Sequence, residues 1–333
     1  MDVLLSAPIL FFAVGVAIAA AGAKLPIPDG FGKAVAAYLL VAIGLKGGVA
    51  LSGTDLQPII PLLLTAGLLS LTMPLLAFGL LRRAVGVDRT NAAAIAAHYG
   101  SVSLVTFVTA VEVLRVEGIG FGGHMVAALA IMEAPAIVSG LVLAGIGTAR
   151  LSGQVAGGAG TLPFPGAALG PIGQAVREAS LNGSVLLLAG SLVVGMVIGE
   201  EGMKPLSGLF VAPWNGVLSL FLLEMGYVAA ARLREAMVLS PRLIAFGIVM
   251  PLVGAVIGLA TALALDLGLG DAMLLVTLAA SASYIAVPAA LRHSLPDADP
   301  GLSLPLSLGI TFPFNILFGI PLYLAATRAM VAG

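Results

Sequence analysis

The 333-residue chain contains no cysteine. Disulfides, thiol nucleophiles and thiolate metal sites are therefore excluded. Charge is scarce as well. Asp, Glu, Lys and Arg make up 9% of the chain, against about 25% in an ordinary soluble domain, while hydrophobic residues make up 60%. So few charges cannot solvate the outside of a globule this large, which excludes a soluble fold. Neither sign dominates: 15 basic and 16 acidic residues give a formal net charge of −1, and nothing points to nucleic acid. The chain also lacks an HExxH zinc helix, a GxxxxGK[ST] phosphate loop and a GxSxG elbow. Without a nucleotide motif, ATP-driven transport by this chain alone is not expected. GLGD at 268–271 matches the short pattern of intramembrane aspartyl proteases. That chemistry needs two carboxylates sharing a proton, and here Asp271 opens an apolar segment while the other aspartates lie in loops or termini.

What remains is hydrophobic sequence. Ten apolar segments lie near 7–23, 32–52, 56–81, 91–114, 121–147, 182–199, 207–231, 243–265, 271–291 and 303–327. They are continuous, rich in Leu and Ala, and close to the ~20 residues that a spanning helix needs. A membrane barrel would instead alternate apolar and polar residues in ~10-residue strands. The first segment lacks the basic n-region of a signal peptide, because Asp2 is the only charge before it; it reads as an uncleaved helix. Alternating loops place Lys24, Lys33, Arg82, Arg83, Arg89, Arg150, Arg177, Arg232, Arg234, Arg242 and Arg292 on one face, and Arg115, Lys204 and Arg328 on the other. The positive-inside rule puts the first face in the cytoplasm. The expectation is an inner-membrane protein with both termini outside and the 148–181 loop cytoplasmic.

That loop is rich in Gly, Ala and Pro and divides the chain into 1–147, a 148–181 linker and 182–333, with five segments on each side. An odd number per half forces opposite orientations, the condition for an inverted repeat. Three stretches recur in order. LLVAIGLKGGVAL (39–51) corresponds to LSLFLLEMGYVAAARL (218–233), and AAIAAHYGSVSLVTF (93–107) to LVTLAASASYIAVPAAL (275–291). MEAPAIVSGLVLA (132–144) corresponds to ITFPFNILFGIPLYLA (310–325), with Pro135 opposite Pro313. The expected fold is an all-α polytopic membrane protein, ten spans in a 5+5 inverted repeat, with two helices broken at the midplane.

The fourth and ninth segments are the candidate breaks. Tyr99, Gly100, Ser101 and Ser103 sit mid-segment in one, and Ser281, Ser283, Tyr284 and Pro288 in the other. Broken helices expose backbone donors and acceptors, half-helix N-termini favour an anion, and paired breaks in two halves point to a transporter's binding site. Ionisable groups are costly in lipid and face a cavity or a partner. Lys46, Glu133 and Glu224 are the candidates for ion coupling, and Lys46 and Glu224 are placed to pair. His98 reads as a hydrogen-bonded helix-interface residue rather than a proton shuttle. Thr311 and Asn315 offer neutral oxygens to an ion site, or bonds to neighbouring helices.

With these segments in view, the chain resembles the sodium-dependent bicarbonate transporters of the SbtA type. The strings LPIPDGFGKAVAAYLLVAIGLKGGVAL (25–51), MEAPAIVSGLVLA (132–144), AASASYIAVPAALRHSLPDADP (279–300) and LGITFPFNILFGIPLYLA (308–325) carry the resemblance; the central loop does not match. It implies five plus five inverted spans, a homotrimer of protomers with core and gate domains, and a cytoplasmic PII-type regulator for which the loop gives no support. It also implies bicarbonate held around Gly100, Ser101, Ser103, Ser281 and Ser283, with Ser103, Ser283 and Glu133 around sodium. Where the family pattern reads SSSDISGPP this chain has SASYIAVPA. Tyr284 thus replaces an acid that helps to hold sodium, and Lys46 replaces a small polar residue. The expected function is a secondary permease for a small anion, sodium-coupled and working by alternating access. The alternatives are a proton-coupled or uncoupled permease for another small organic anion, and a non-transporting membrane sensor or scaffold.

Overall fold

The computed structural model describes residues 6–145, 177, 181 and 183–331, and among them every regular element is helical. The proposed 148–181 linker lies, apart from Arg177 and Leu181, outside the described residues. The helices are α1 (Ala7–Ala20), α2 (Phe31–Leu51), α3 (Ile60–Leu80), α4 (Arg89–His98), α5 (Leu104–Val116), α6 (His124–Met132) and α7 (Pro135–Ala144). They continue with α8 (Gly183–Met203), α9 (Trp214–Ala236), α10 (Pro241–Ala264), α11 (Leu269–Ala280), α12 (Ala286–Ser294) and the composite α13 (Pro300–Val331).

Their starts follow the local chemistry. Asp88 caps α4 by accepting from Asn91 N at 3.0 Å, Ser240 caps α10 from Leu243 N at 3.3 Å, and Asp299 caps α13 from Gly301 N at 2.8 Å. Asn91 hydrogen bonds hold the Asp88 carboxyl below its ordinary value. Proline sits in the first turn of α7, α10 and α13, where its missing N–H leaves no bond broken.

Seven described helical segments are long and apolar enough to cross a membrane. The other three apolar segments fall short for identifiable reasons. α1 has 14 residues, and the fourth and ninth segments are each interrupted, at 99–103 and at 281–285. The outward face is apolar. Val197 is 80% exposed and Leu64 70%, an arrangement that water penalises and lipid does not.

The helices pack in crossed pairs, with α1 against α9 and α2 against α8. Both contacts depend on glycine. A Cβ on Gly48 would lie 2.0 Å from Leu192 O of α8, and one on Gly226 would lie 2.1 Å from Phe12 O of α1. Without a hydrophobic drive between helices in lipid, such close backbone approach supplies the packing. The remaining helices gather round the interruptions: α3 packs on α4, α6 and α7, and α10 packs on α11 and α13.

Gly48→Ala should therefore cost about 1–3 kcal/mol through overpacking. Gly79→Ala, at a helical position with nothing within 4 Å of the new Cβ, should cost far less. Thermal unfolding in detergent compares the two; equal midpoints would refute the packing argument.

Candidate functional site

The two interruptions have equal length and face each other. α4 ends at His98, where Gly100 lies against Pro74 of α3, and α5 begins at Leu104 with Ser103 as its cap, accepting from Thr106 N at 3.2 Å. α11 ends at Ala280 and α12 begins at Ala286. Each interruption frees backbone groups, and the other satisfies them. Ser283 N donates to His98 O at 2.8 Å, and His98 Nδ1 donates back to Ser283 O at 2.6 Å. Ser103 N donates to Ser281 Oγ at 3.0 Å, and that hydroxyl donates to Leu278 O at 2.9 Å. The Tyr284 hydroxyl interacts with the Ser103 side chain. The site is thus one clasped unit built from two chain segments.

Other helices brace it. Asn315 Nδ2 donates to Ala280 O at 2.9 Å, capping the end of α11, while its Oδ1 accepts from Tyr323 at 2.7 Å. Thr311 Oγ1 donates to Gly247 O at 2.7 Å and accepts from the Tyr99 hydroxyl at 2.7 Å. The polar atoms of Thr311 and Asn315 are therefore already committed, to α10 and Tyr99 of the first interruption in one case and to the end of α11 and Tyr323 of α13 in the other. Glu133 sits at the joint between α6 and α7. Ser70 of α3 opens that joint by inserting into the helical ladder, donating to Met132 O at 2.6 Å and accepting from Ala136 N at 3.2 Å. The opened joint brings Glu133 Oε2 to 3.1 Å from Ser101 Oγ, which donates to it. Ser101 and Ser283 are 1% and 2% exposed. The Ser283 hydroxyl makes no hydrogen bond to any described residue, so it is available to a ligand.

In chemical terms the site combines two helix N-termini (α5 and α12), which favour an anion, with serine hydroxyls and a carboxylate oxygen, which suit a hard cation. The family model described as the Na+-dependent bicarbonate transporter superfamily matches residues 7–328. The chain belongs to that superfamily. The superfamily is one of transporters, not of enzymes, and the apolar helices make this an integral membrane protein. No curated protein matches the chain.

Two expected partners do not meet in this transporter. Lys46 lies with Nζ 4.0 Å from the Trp214 ring centroid, and its charged neighbours are Glu112 and Arg115. Glu224 instead closes on Gly32 at the start of α2, and its Oε2 has no hydrogen-bond partner among the described residues. The ion pair fails because the aromatic face at the start of α9 takes the ammonium. Neither residue hydrogen-bonds to an interruption. Asp271 likewise has no second carboxylate beside it among the described residues: it accepts from Gly122 N at 2.7 Å and pairs with His124 Nε2 at 2.9 Å. Sequence reasoning missed Glu112, which is 3% exposed and bonded twice by Arg115, at 2.7 and 2.9 Å. The i,i+3 spacing of that pair was the available signal.

Ser281→Ala should cost about 1–3 kcal/mol, because it leaves the buried Ser103 N–H unpaired. Ser283→Ala, which removes no protein hydrogen bond, should stay closer to the parent. Chemical unfolding of the two variants separates them, and an undiminished Ser281→Ala would refute the clasp.

Proposed function

We propose that the protein is a sodium-coupled permease for bicarbonate or a closely similar small anion, working by alternating access. The observation that carries this reading is the pair of interruptions clasped through His98–Ser283 and Ser103–Ser281, with the Ser283 hydroxyl left unpartnered among the described residues. The anion would sit between the N-terminal ends of α5 and α12, near Gly100, Ser101 and Ser283. Sodium would take hydroxyl and carboxylate oxygens from Ser103, Ser283 and Glu133, and its charge would offset the anion's so that both cross the apolar barrier together. Lys46, Glu224, Thr311 and Asn315 would act as supports rather than as ligands.

The proposed topology is ten spans in two inverted halves, with both termini outside and the 148–181 loop in the cytoplasm. Two observations support it. Each half has an interruption of five residues, at 99–103 and 281–285. The first helix of each half packs on the second helix of the other, through Gly226 in one pair and Gly48 in the other. On this reading α1, α2, α8 and α9 form a panel against which the body holding the interruptions moves. Assembly as a trimer, and residence in a bacterial inner membrane, belong to the same proposal.

Proton coupling is a second reading. Tyr284 stands where the family pattern has an acid, which leaves Glu133, bonded to Ser101, as the carboxylate at the interruptions.

Uptake of labelled bicarbonate into proteoliposomes should rise at least about tenfold with an inward sodium gradient, relative to potassium. Uptake indifferent to sodium would overturn sodium coupling. Glu133→Gln separates the two readings. Under sodium coupling it should raise the sodium concentration needed for half-maximal uptake and leave the pH profile in place. Under proton coupling it should flatten the pH profile.

A further inference from the structure

The His98 imidazole spans two environments. Its Nδ1 meets Ser283 O at 2.6 Å, and because a carbonyl can only accept, Nδ1 carries the proton. In the neutral ring Nε2 is then a bare acceptor, and it has no hydrogen-bond partner among the described residues. The residue is 1% exposed, yet it lines a half-open cavity of about 190 Å³ bounded by the end of α4, by α12 and by the start of α13. Arg292 lines the same cavity from its exposed rim and makes no ion pair with any described residue. Ser303, 6% exposed, lines it too, and its hydroxyl has no described partner. No carboxylate lines the cavity, and the nearby Asp299 accepts from Gly301 N at 2.8 Å. Leucine, proline and alanine form the rest of the wall.

We propose that this cavity is a second anion subsite, selective for a small oxyanion that carries both a negative oxygen and a hydroxyl proton, as hydrogencarbonate does. The Arg292 guanidinium binds the charged oxygens as a planar fork. The neutral His98 Nε2 accepts the ion's O–H, and Ser303 completes the ring of polar contacts. A small anion of the same charge without an O–H, such as nitrate or formate, leaves Nε2 facing an oxygen lone pair or a C–H and is rejected, because an unpaired buried polar group is costly. Through its other nitrogen the same imidazole holds the second interruption, so the subsite adjoins the central site. This subsite rests on the proposed transport reading for its purpose, but its chemistry stands on the cavity alone.

The cysteine-free chain allows a test that reads the cavity without flux. Ala298→Cys places a single thiol on its wall. Its modification by a small charged methanethiosulfonate should slow at least about threefold with bicarbonate at mildly alkaline pH, and little with equal nitrate or formate. Adding Arg292→Gln should abolish the protection. Adding His98→Asn, whose amide still reaches the position of Nδ1 and donates to Ser283 O, should bring bicarbonate down to the level of nitrate. Equal protection by the three anions, no protection by bicarbonate, or full protection in the Arg292→Gln background would each overturn the subsite. Because the labelling rate is read without any gradient or flux, that failure would leave the sodium-gradient uptake experiment to decide the transport reading separately.

Discussion

A helix broken inside a membrane frees backbone N–H and C=O groups where no water can take them. In this protein the exchange between His98 and Ser283 answers that constraint: each residue supplies a donor and an acceptor to the other. Ser281 adds a hydroxyl for Ser103 N. Each unsatisfied group would cost several kcal/mol in hydrocarbon, so neither interruption is stable alone. The two must meet, and everything that brings them together follows. The Asn315 cap on Ala280, the Tyr99–Thr311 bond and the packing of α3 and α10 hold the pair in register.

The same constraint produces the functional chemistry. An interruption that satisfied all its groups internally would offer nothing to a solute. Here the clasp uses most of the polar groups and leaves a few, among them the Ser283 hydroxyl and the N-terminal ends of α5 and α12. Glu133 joins them only because Ser70 enters the α6–α7 ladder beside Pro135 and opens the joint. A transporter of small anions needs a site that is polar enough to strip hydration yet not so strong that the ion stays. Partial satisfaction of the two interruptions meets that need.

Much of this was legible in the sequence because it is local. Gly100 and the serines interrupt apolar segments, and the interruptions fall at 99–103 and 281–285 as those residues imply, with Pro288 in the first turn of α12 rather than in the break. What the sequence hid is long-range. Lys46 was expected to meet Glu224, but it lies over Trp214, and Glu224 closes on Gly32. One-dimensional spacing between apolar helices does not say which side chains share a face. Glu112 was hidden by its place at the end of a segment, where its burial depends on how α5 packs. The insertion of Ser70 into another helix, and the meeting of His98, Arg292 and Ser303 at one cavity, likewise depend on residues distant in the chain.

The central claim is that the clasped interruptions bind an anion and a cation as one unit. Calorimetric titration of bicarbonate into the purified protein at a series of sodium concentrations, with potassium as the balancing ion, tests it most directly. By linkage, sodium should tighten bicarbonate binding by about 5–150-fold, and bicarbonate should tighten sodium binding by the same factor. Bicarbonate affinity that stays constant as sodium rises would contradict the account.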